Sequence, residues 1–328
     1  MWIYYPIILI ILLAAELVFF RVAKHYSIID RPTSRSSHDT FVLRAGGVIY
    51  IVGMWLYAAF FGLKLWPFLL GLTLVAIISF IDDVRSLPAL VRLACHSLAI
   101  LLVFYCWGVL SWENWWMIIL GMILCVGIVN AYNFMDGING LNGGYTFAVL
   151  LPLAWLNHQM GFVDQRLIIV ALIANLVFCF FNYRRKGKAK CFAGDVGSVG
   201  VAFIVVFVLG LLVLQTRDFT YIVFLAVYGV DSLLTIIHRI LLHEPIGVAH
   251  RKHAYQIMTN ELGLEHTLVS TFYMLLQFAI SVGMILIPNT PQWHWGYLIG
   301  ICLILAIAYV LFMKKYYHLH AEYLESRK

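Results

Sequence analysis

The chain has 328 residues, 63% of them hydrophobic and only 12% charged, with a formal net charge of +6. Soluble domains carry roughly 25% charged residues, so this composition excludes a water-soluble fold, and no nucleic-acid partner is expected. Six cysteines (95, 106, 125, 179, 191 and 302) form no Cys-x-x-Cys pair. Neither a disulfide framework nor a thiolate metal site is indicated, and the cysteines read as packing residues.

In chain order, apolar runs fall near residues 2–22, 45–63, 65–81, 90–108, 115–131, 143–157, 165–183, 197–215, 219–238, 267–287 and 296–313. Their lengths suit a hydrocarbon core of about 30 Å. Backbone amides in lipid must be satisfied within their own segment, which makes the runs helical. The first run lacks a basic leader and a small-residue cleavage site, so a membrane span is expected there rather than a cleaved signal peptide. The expectation is an all-α polytopic membrane protein with about eleven transmembrane helices, forming one integral unit over residues 1–328.

Lys and Arg set the orientation. With the N-terminus outside, 19 of the 22 basic residues fall on the cytoplasmic side, leaving Lys64, Arg166 and Arg217 opposite. The C-terminus is then cytoplasmic too. Cytoplasmic loops are expected near 23–44, 82–90, 132–143, 184–197 and 239–266. Function usually sits on loops carried by a rigid scaffold, so the chemistry is expected at that face.

Polar groups far apart in sequence collect there. Asp82 and Asp83 end the third run. Asn130, Asn133, Asp136 and Asn139 follow the fifth, Gly194-Asp-Val-Gly-Ser198 opens the eighth, and His250 and His253 lie in the loop after the ninth. Each has an ordinary reading taken singly: a solvated helix end, an Asp-Gly or Asn-Gly turn, an N-terminal cap, or surface histidines. Four carboxylates at one face repel one another, and a divalent cation or polyphosphate–metal complex relieves that. Oxygen donors without a cysteine cluster favour magnesium or manganese over zinc. Magnesium takes only one or two protein carboxylates, so not all four acids are direct ligands. Arg92, Arg251 and Lys252 suit phosphate oxygens.

These motifs resemble the polyprenyl-phosphate N-acetylhexosamine-1-phosphate transferase superfamily (glycosyltransferase family 4) of the type that initiates O-antigen and capsule. The likeness runs from about Asp30 to Gln256. It comprises Asp30-Arg-Pro-Thr-Ser-Arg-Ser-Ser-His38 with Arg44-Ala-Gly-Gly47, the Asp82-Asp83 pair and Asn130-x-x-Asn133-x-x-Asp136-Gly-x-Asn-Gly-Leu141. Phe181-Asn182, Gly194-Asp195-x-Gly-Ser198 and the segment Asp231–Arg239 complete it. Two segments depart from the family pattern: the first loop reads Arg35-Ser-Ser-His38, and the last motif reads His250-Arg-Lys-His253 in place of a triple histidine. The second departure argues against a muramoyl-pentapeptide donor.

The resemblance implies transfer of a sugar-1-phosphate, N-acetylglucosamine-1-phosphate first, from a UDP-sugar to undecaprenyl phosphate with release of UMP. Such a reaction starts a lipid-linked cell-surface glycan at the cytoplasmic face of a bacterial inner membrane. It implies magnesium, with manganese as the alternative, on Asp195 and Asn133. Asp82, Asp83 and Asp136 take the catalytic positions. Arg92, His250, Arg251 and His253 take the diphosphate, Asn139 lies near the uracil, and a homodimer is implied. The alternatives are the same reaction with a UDP-linked amino-deoxy sugar (FucNAc or QuiNAc), or a lipid or ion transporter. Of the residues outside these motifs, Asp231 reads either as functional, since an intramembrane acid is costly, or as the partner of a basic loop residue. Glu16 is a weaker candidate. The basic segment Tyr183–Lys190 suits an anionic lipid. The cations of loop 239–266 exceed what one diphosphate needs, so some are expected to read the sugar.

Overall fold

The computed structural model describes residues 2–30, 41–245 and 250–325, with side chains to Tyr323. The first-loop positions 31–40, which carry most of the Asp30–His38 motif, lie outside the described residues.

Every expected apolar run is a helix. In chain order these are α1 (Tyr4–His25), α2 (Val48–Phe61), α3 (Trp66–Val84), α4 (Ala89–Trp107), α5 (Trp115–Phe134), α6 (Leu141–Met160), α7 (Gln165–Asn182), α8 (Gly194–Thr216) and α9 (Ala226–Leu241). A short α10 (Ala254–Asn260), α11 (His266–Leu286) and α12 (Pro291–Glu325) follow. Among the described residues, nine helical segments are long and apolar enough to cross a membrane, and the chain is an all-α polytopic membrane protein. Four boundaries differ from the sequence reading, the 219–238 run being α-helical only from Ala226. At 14 residues α2 is shorter than its 45–63 run. The loop 239–266 contains α10, and α12 runs 35 residues, well past residue 313. Two two-residue strands, β1 (Ile29–Asp30) and β2 (Val42–Leu43), pair antiparallel beside the bundle, and Leu43 also bridges to Cys191.

The core is built around α8, where 83% of the span is buried. Small residues let backbones close in, as helix association in lipid requires. A Cβ on Gly47 would lie 2.2 Å from the Gly197 Cα, so the starts of α2 and α8 touch directly. Rings fill the remaining space, with Phe68 stacked on Phe207 at 4.2 Å and Tyr145 on Tyr228 at 3.5 Å. Just before α9 the chain runs as a 3₁₀ turn, Phe219–Leu225. A break at this depth frees backbone groups that lipid cannot satisfy. Gln277 of α11 meets two of them, accepting from the Val227 N–H at 3.1 Å and donating to the Val223 carbonyl at 3.1 Å.

The helices alternate in direction, giving the bundle two ends. At one end Asp164 joins Arg166 and the Tyr57 hydroxyl. At the other end the polar termini of α3, α4, α5 and α8 meet.

Candidate active site

The meeting point is the start of α8, whose first amides have no helical partner and carry the positive end of the helix dipole. Carboxylates from elsewhere in the chain satisfy them. Asp83, at the end of α3, accepts from the Asp195 N–H at 2.9 Å and the Val196 N–H at 3.0 Å. Asp136, in the turn between α5 and α6, accepts from the Gly194 N–H. A side chain at position 194 would strike the Asp83 carboxylate at 2.7 Å, and φ there is +69°, so glycine is required on both counts.

Arg44 Nε reaches Asp83 Oδ1 at 2.7 Å, and its Nη2 lies 3.6 Å from Asp195 Oδ1. Asp83 is therefore fully engaged and its side chain is 0% exposed. Asp82 points the other way, accepting from the Leu87 N–H at 2.5 Å and from Arg92 Nη1 at 2.7 Å. Arg92 Nη1 also lies 3.6 Å from Asp195 Oδ2, leaving the Asp195 side chain 17% exposed. Asn133 on α5 accepts from the Ser198 hydroxyl at 2.9 Å, which ties α5 to the same junction.

These groups border a cleft of about 210 Å³ lined by Arg92, Asn130, Asn133 and Asp195, with Ser79, His96 and three apolar residues. Sequence reasoning missed Ser79 and His96. The usable signal was helical spacing, since Ser79 stands three residues before Asp82 and His96 four after Arg92, each on the face of its charged neighbour.

Two of the junction's charges titrate outside the spans. Burial and the adjacent Asp83 charge push Asp136 up to about 7, against the pull of Arg44. Arg44 is raised above its ordinary value because Asp83, Asp195 and Asp30 outweigh the burial that opposes them.

The remaining expected residues sit differently. Asn139 is buried, and its side-chain amide donates to the carbonyls of Arg184 at 2.9 Å and Arg185 at 3.0 Å. Those donors anchor the basic loop. His253 Nδ1 lies 3.1 Å from Asp231 Oδ1, and Tyr273 donates to the other Asp231 oxygen at 2.7 Å. Of the two readings of Asp231, the partner of a loop residue is the one observed. His253 stacks near His250 and Tyr255, and the Tyr255 hydroxyl donates to the Phe134 carbonyl at 2.9 Å. The histidine segment thus lies against the Asn133–Asp136 turn. Burial, then the neighbouring His253, Arg239 and Lys252, pushes His250 down to about 3, which keeps its ring neutral.

The expected surplus of loop cations is not found. Arg251 donates to Glu261 at 2.8 Å and lies over the Tyr323 ring at 4.0 Å. His320 holds the same Glu261 oxygen at 2.8 Å. Lys252 pairs closely with Glu244, which Arg239 also reaches. Although burial raises both acids, these cations hold Glu244 and Glu261 below the ordinary carboxylate range. Glu16 is buried in α1, where it accepts from the Cys191 thiol at 3.7 Å.

Among the described residues no three His, Cys, Asp or Glu side chains are grouped to hold a metal. One carboxylate and one amide oxygen, Asp195 and Asn133, border the cleft beside Asp82. Hard oxygen donors in that number fit magnesium, which completes its octahedron with phosphate and water oxygens.

Residues 65–213 match the family described as Glycosyl transferase family 4. The chain is 27% identical over 305 residues to a probable undecaprenyl-phosphate N-acetylglucosaminyl 1-phosphate transferase of Bacillus subtilis, covering 87% of this chain and 84% of the relative. It is 26% identical over 230 residues to the undecaprenyl-phosphate alpha-N-acetylglucosaminyl 1-phosphate transferase of Escherichia coli K12, covering 62% and 60%. A phospho-N-acetylmuramoyl-pentapeptide-transferase of Thermotoga neapolitana is 32% identical, over 37% of this chain and 38% of its own length.

Proposed function

The chain belongs to the polyprenyl-phosphate N-acetylhexosamine-1-phosphate transferase superfamily, and from that premise we propose that it transfers N-acetylglucosamine-1-phosphate from its UDP-sugar to undecaprenyl phosphate. The observation that carries this reading is the cleft at one end of an apolar bundle, where, among the described residues, Asp82, Asp83, Asp136 and Asp195 meet the guanidiniums of Arg44 and Arg92. Such a surplus of carboxylates suits a metal–diphosphate, and its place at the end of membrane-spanning helices suits a lipid acceptor. The sugar follows the two N-acetylglucosaminyl relatives named above.

Phosphoryl-type transfer is mostly positioning and electrostatics. An oxygen of the lipid phosphate attacks the β-phosphorus, the bond to the α-phosphate oxygen breaks, and UMP leaves with that electron pair. Magnesium, held by Asp195 and Asn133, would neutralise the diphosphate and the departing UMP. Arg92 balances phosphate charge from the cleft wall. Asp82, with both oxygens already accepting hydrogen bonds, orients Arg92 and the acceptor. A lipid phosphate is largely dianionic near pH 7, its second pKa being about 6, so it needs little help from a base. Asp83 and Asp136 fix the start of α8 and thereby aim Asp195. The neutral His250 and the Asp231-oriented His253 pack behind the Asn133–Asp136 turn from the α10 side.

The strongly one-sided basic residues support a cytoplasmic site in the bacterial inner membrane. A cysteine placed at Lys328 should be shielded from an impermeant thiol reagent in intact cells, and one at Gln292 labelled. The reverse pattern overturns the orientation.

The reaction itself is tested with purified protein, undecaprenyl phosphate, magnesium and a panel of UDP-sugars. UMP should appear with UDP-N-acetylglucosamine and vanish with EDTA. A preference for a UDP-linked amino-deoxy sugar would move the donor assignment within the same reaction. Release of UDP, or no release with any sugar, would overturn the reading.

A further inference from the structure

The cleft has two levels. Helices α3 and α5 run toward this end of the bundle while α4 and α8 start from it. Ser79, Asn130, His96 and Val199 therefore lie about one turn, roughly 5 Å, deeper than Asp82, Asn133, Arg92 and Asp195, and all but Asp82 line the cleft. The outer level is charged. At the inner level the polar groups are neutral or weakly basic, and Leu93, on α4 between the two levels, lines the same cleft and is 46% exposed.

His96 is the unexplained member of that level. It is 6% exposed, and its Nε2 is buried without a hydrogen-bond partner. A buried polar atom left unpaired is costly, and an imidazole is not placed in an apolar helix by packing needs alone. Asn130 donates one amide hydrogen to the Val126 carbonyl at 2.9 Å, which leaves its second hydrogen and its oxygen for the cleft.

We propose that His96 and Asn130 form the subsite for the phosphate of the acceptor lipid, with Arg92 completing it from above. The assignment rests on the transferase reading and adds which groups hold which phosphate. In-line displacement places the attacking oxygen and the leaving UMP on opposite sides of the β-phosphorus. UMP is water-soluble and leaves through the charged mouth. The nucleophile therefore comes from the floor, the level that lies deeper along the membrane-spanning helices. There a phosphate monoester accepts from His96 Nε2–H, from the free Asn130 N–H and from the Arg92 guanidinium, while its hydrocarbon chain passes out beside Leu93 into lipid. Donor diphosphate stays at the outer level with Asp195 and Asn133.

The test is steady-state kinetics on His96→Phe and His96→Gln in vesicles, varying undecaprenyl phosphate and UDP-N-acetylglucosamine in turn, with UDP affinity and thermal stability measured on the same preparations. Removing one buried hydrogen-bonding partner is worth about tenfold to a hundredfold, so His96→Phe should lower kcat/KM for undecaprenyl phosphate by about that factor. UDP affinity should stay within about twofold, and His96→Gln, whose amide reaches a similar position, should recover most of the loss. Should the Phe variant fail to accumulate, His96→Ala reads the same effect. Unchanged acceptor kcat/KM in an active enzyme overturns the inference alone, as does a parallel loss of UDP affinity. A wild-type enzyme that forms no lipid product overturns the transferase reading and the inference with it.

Discussion

Two charged regions share one end of the bundle and are built on opposite terms. Around the start of α8, four carboxylates face two guanidiniums, and Asp195 is left partly open to the cleft. In the segment 250–261, the cations are matched inside the protein: Arg251 by Glu261 and Tyr323, Lys252 by Glu244 and Tyr317. Unbalanced charge that the fold keeps half-solvated suits a ligand that completes it. Matched charge fixes a segment in place, and here it fixes His250 and His253 against the Asn133–Asp136 turn. The difference separates groups that meet substrate from groups that hold them there.

Breaking each region should therefore give different signatures. The largest effect is expected at the open carboxylate: Asp195→Asn should lower turnover about a hundredfold to a thousandfold, the range for losing one preorganised electrostatic contact, with little change in thermal stability. Next comes the dyad behind the histidines. Asp231→Asn should cost about 1–3 kcal/mol of stability by unpairing His253 and Tyr273, with turnover falling about tenfold. A turnover loss without any stability loss would place His253 among the groups that touch substrate.

Smaller still is the clamp from α12. Glu261→Gln should lower thermal stability by leaving Arg251 and His320 partly unpaired while donor KM changes by less than about threefold. A large donor-specific effect would restore Arg251 as a direct contact and erase the contrast between the regions. A separate pH term comes from Asp136. Its carboxyl is raised from 3.8 to about 7 in the folded chain, so the folded state holds the proton more tightly and gains stability at low pH. That contribution is fully present below about pH 4 and lost as pH rises through about 7. In EDTA, Asp136→Asn should flatten the stability profile over that window. An unaltered slope would mean that the group carrying it lies elsewhere.

Much of the fold was legible because lipid is a demanding solvent. Every long apolar run had to be a helix, and the Lys and Arg distribution grouped the loops that meet at the acid junction. The site's membership was legible in its carboxylates, since Asp82, Asp83, Asp136 and Asp195 do converge. Their division of labour was not. Asp83 and Asp136 cap the first turn of a helix more than 50 residues away, a tertiary pairing that leaves no local pattern. Asn139 sits within a substrate-like motif yet spends its amide on two loop carbonyls. The loop cations looked free because their partners are Glu244, Glu261 and tyrosines on a stretch of α12 that the apolar pattern ended at residue 313. His96 was passed over because the one sequence signal it gives, its spacing four residues after Arg92, is weak until its unpaired nitrogen is seen at the cleft.

The central claim is that the acid cleft moves a phosphoryl-linked sugar intact to a lipid. It is tested most directly with UDP-N-acetylglucosamine labelled in the β-phosphate, incubated with undecaprenyl phosphate, magnesium and wild-type or Asp195→Asn protein in vesicles. The label should enter the lipid fraction in step with UMP release by the wild type, and should do so at least about a hundredfold more slowly with Asp195→Asn. Label that remains in water-soluble UDP while the sugar alone reaches the lipid, or an Asp195→Asn protein as fast as the wild type, would contradict it.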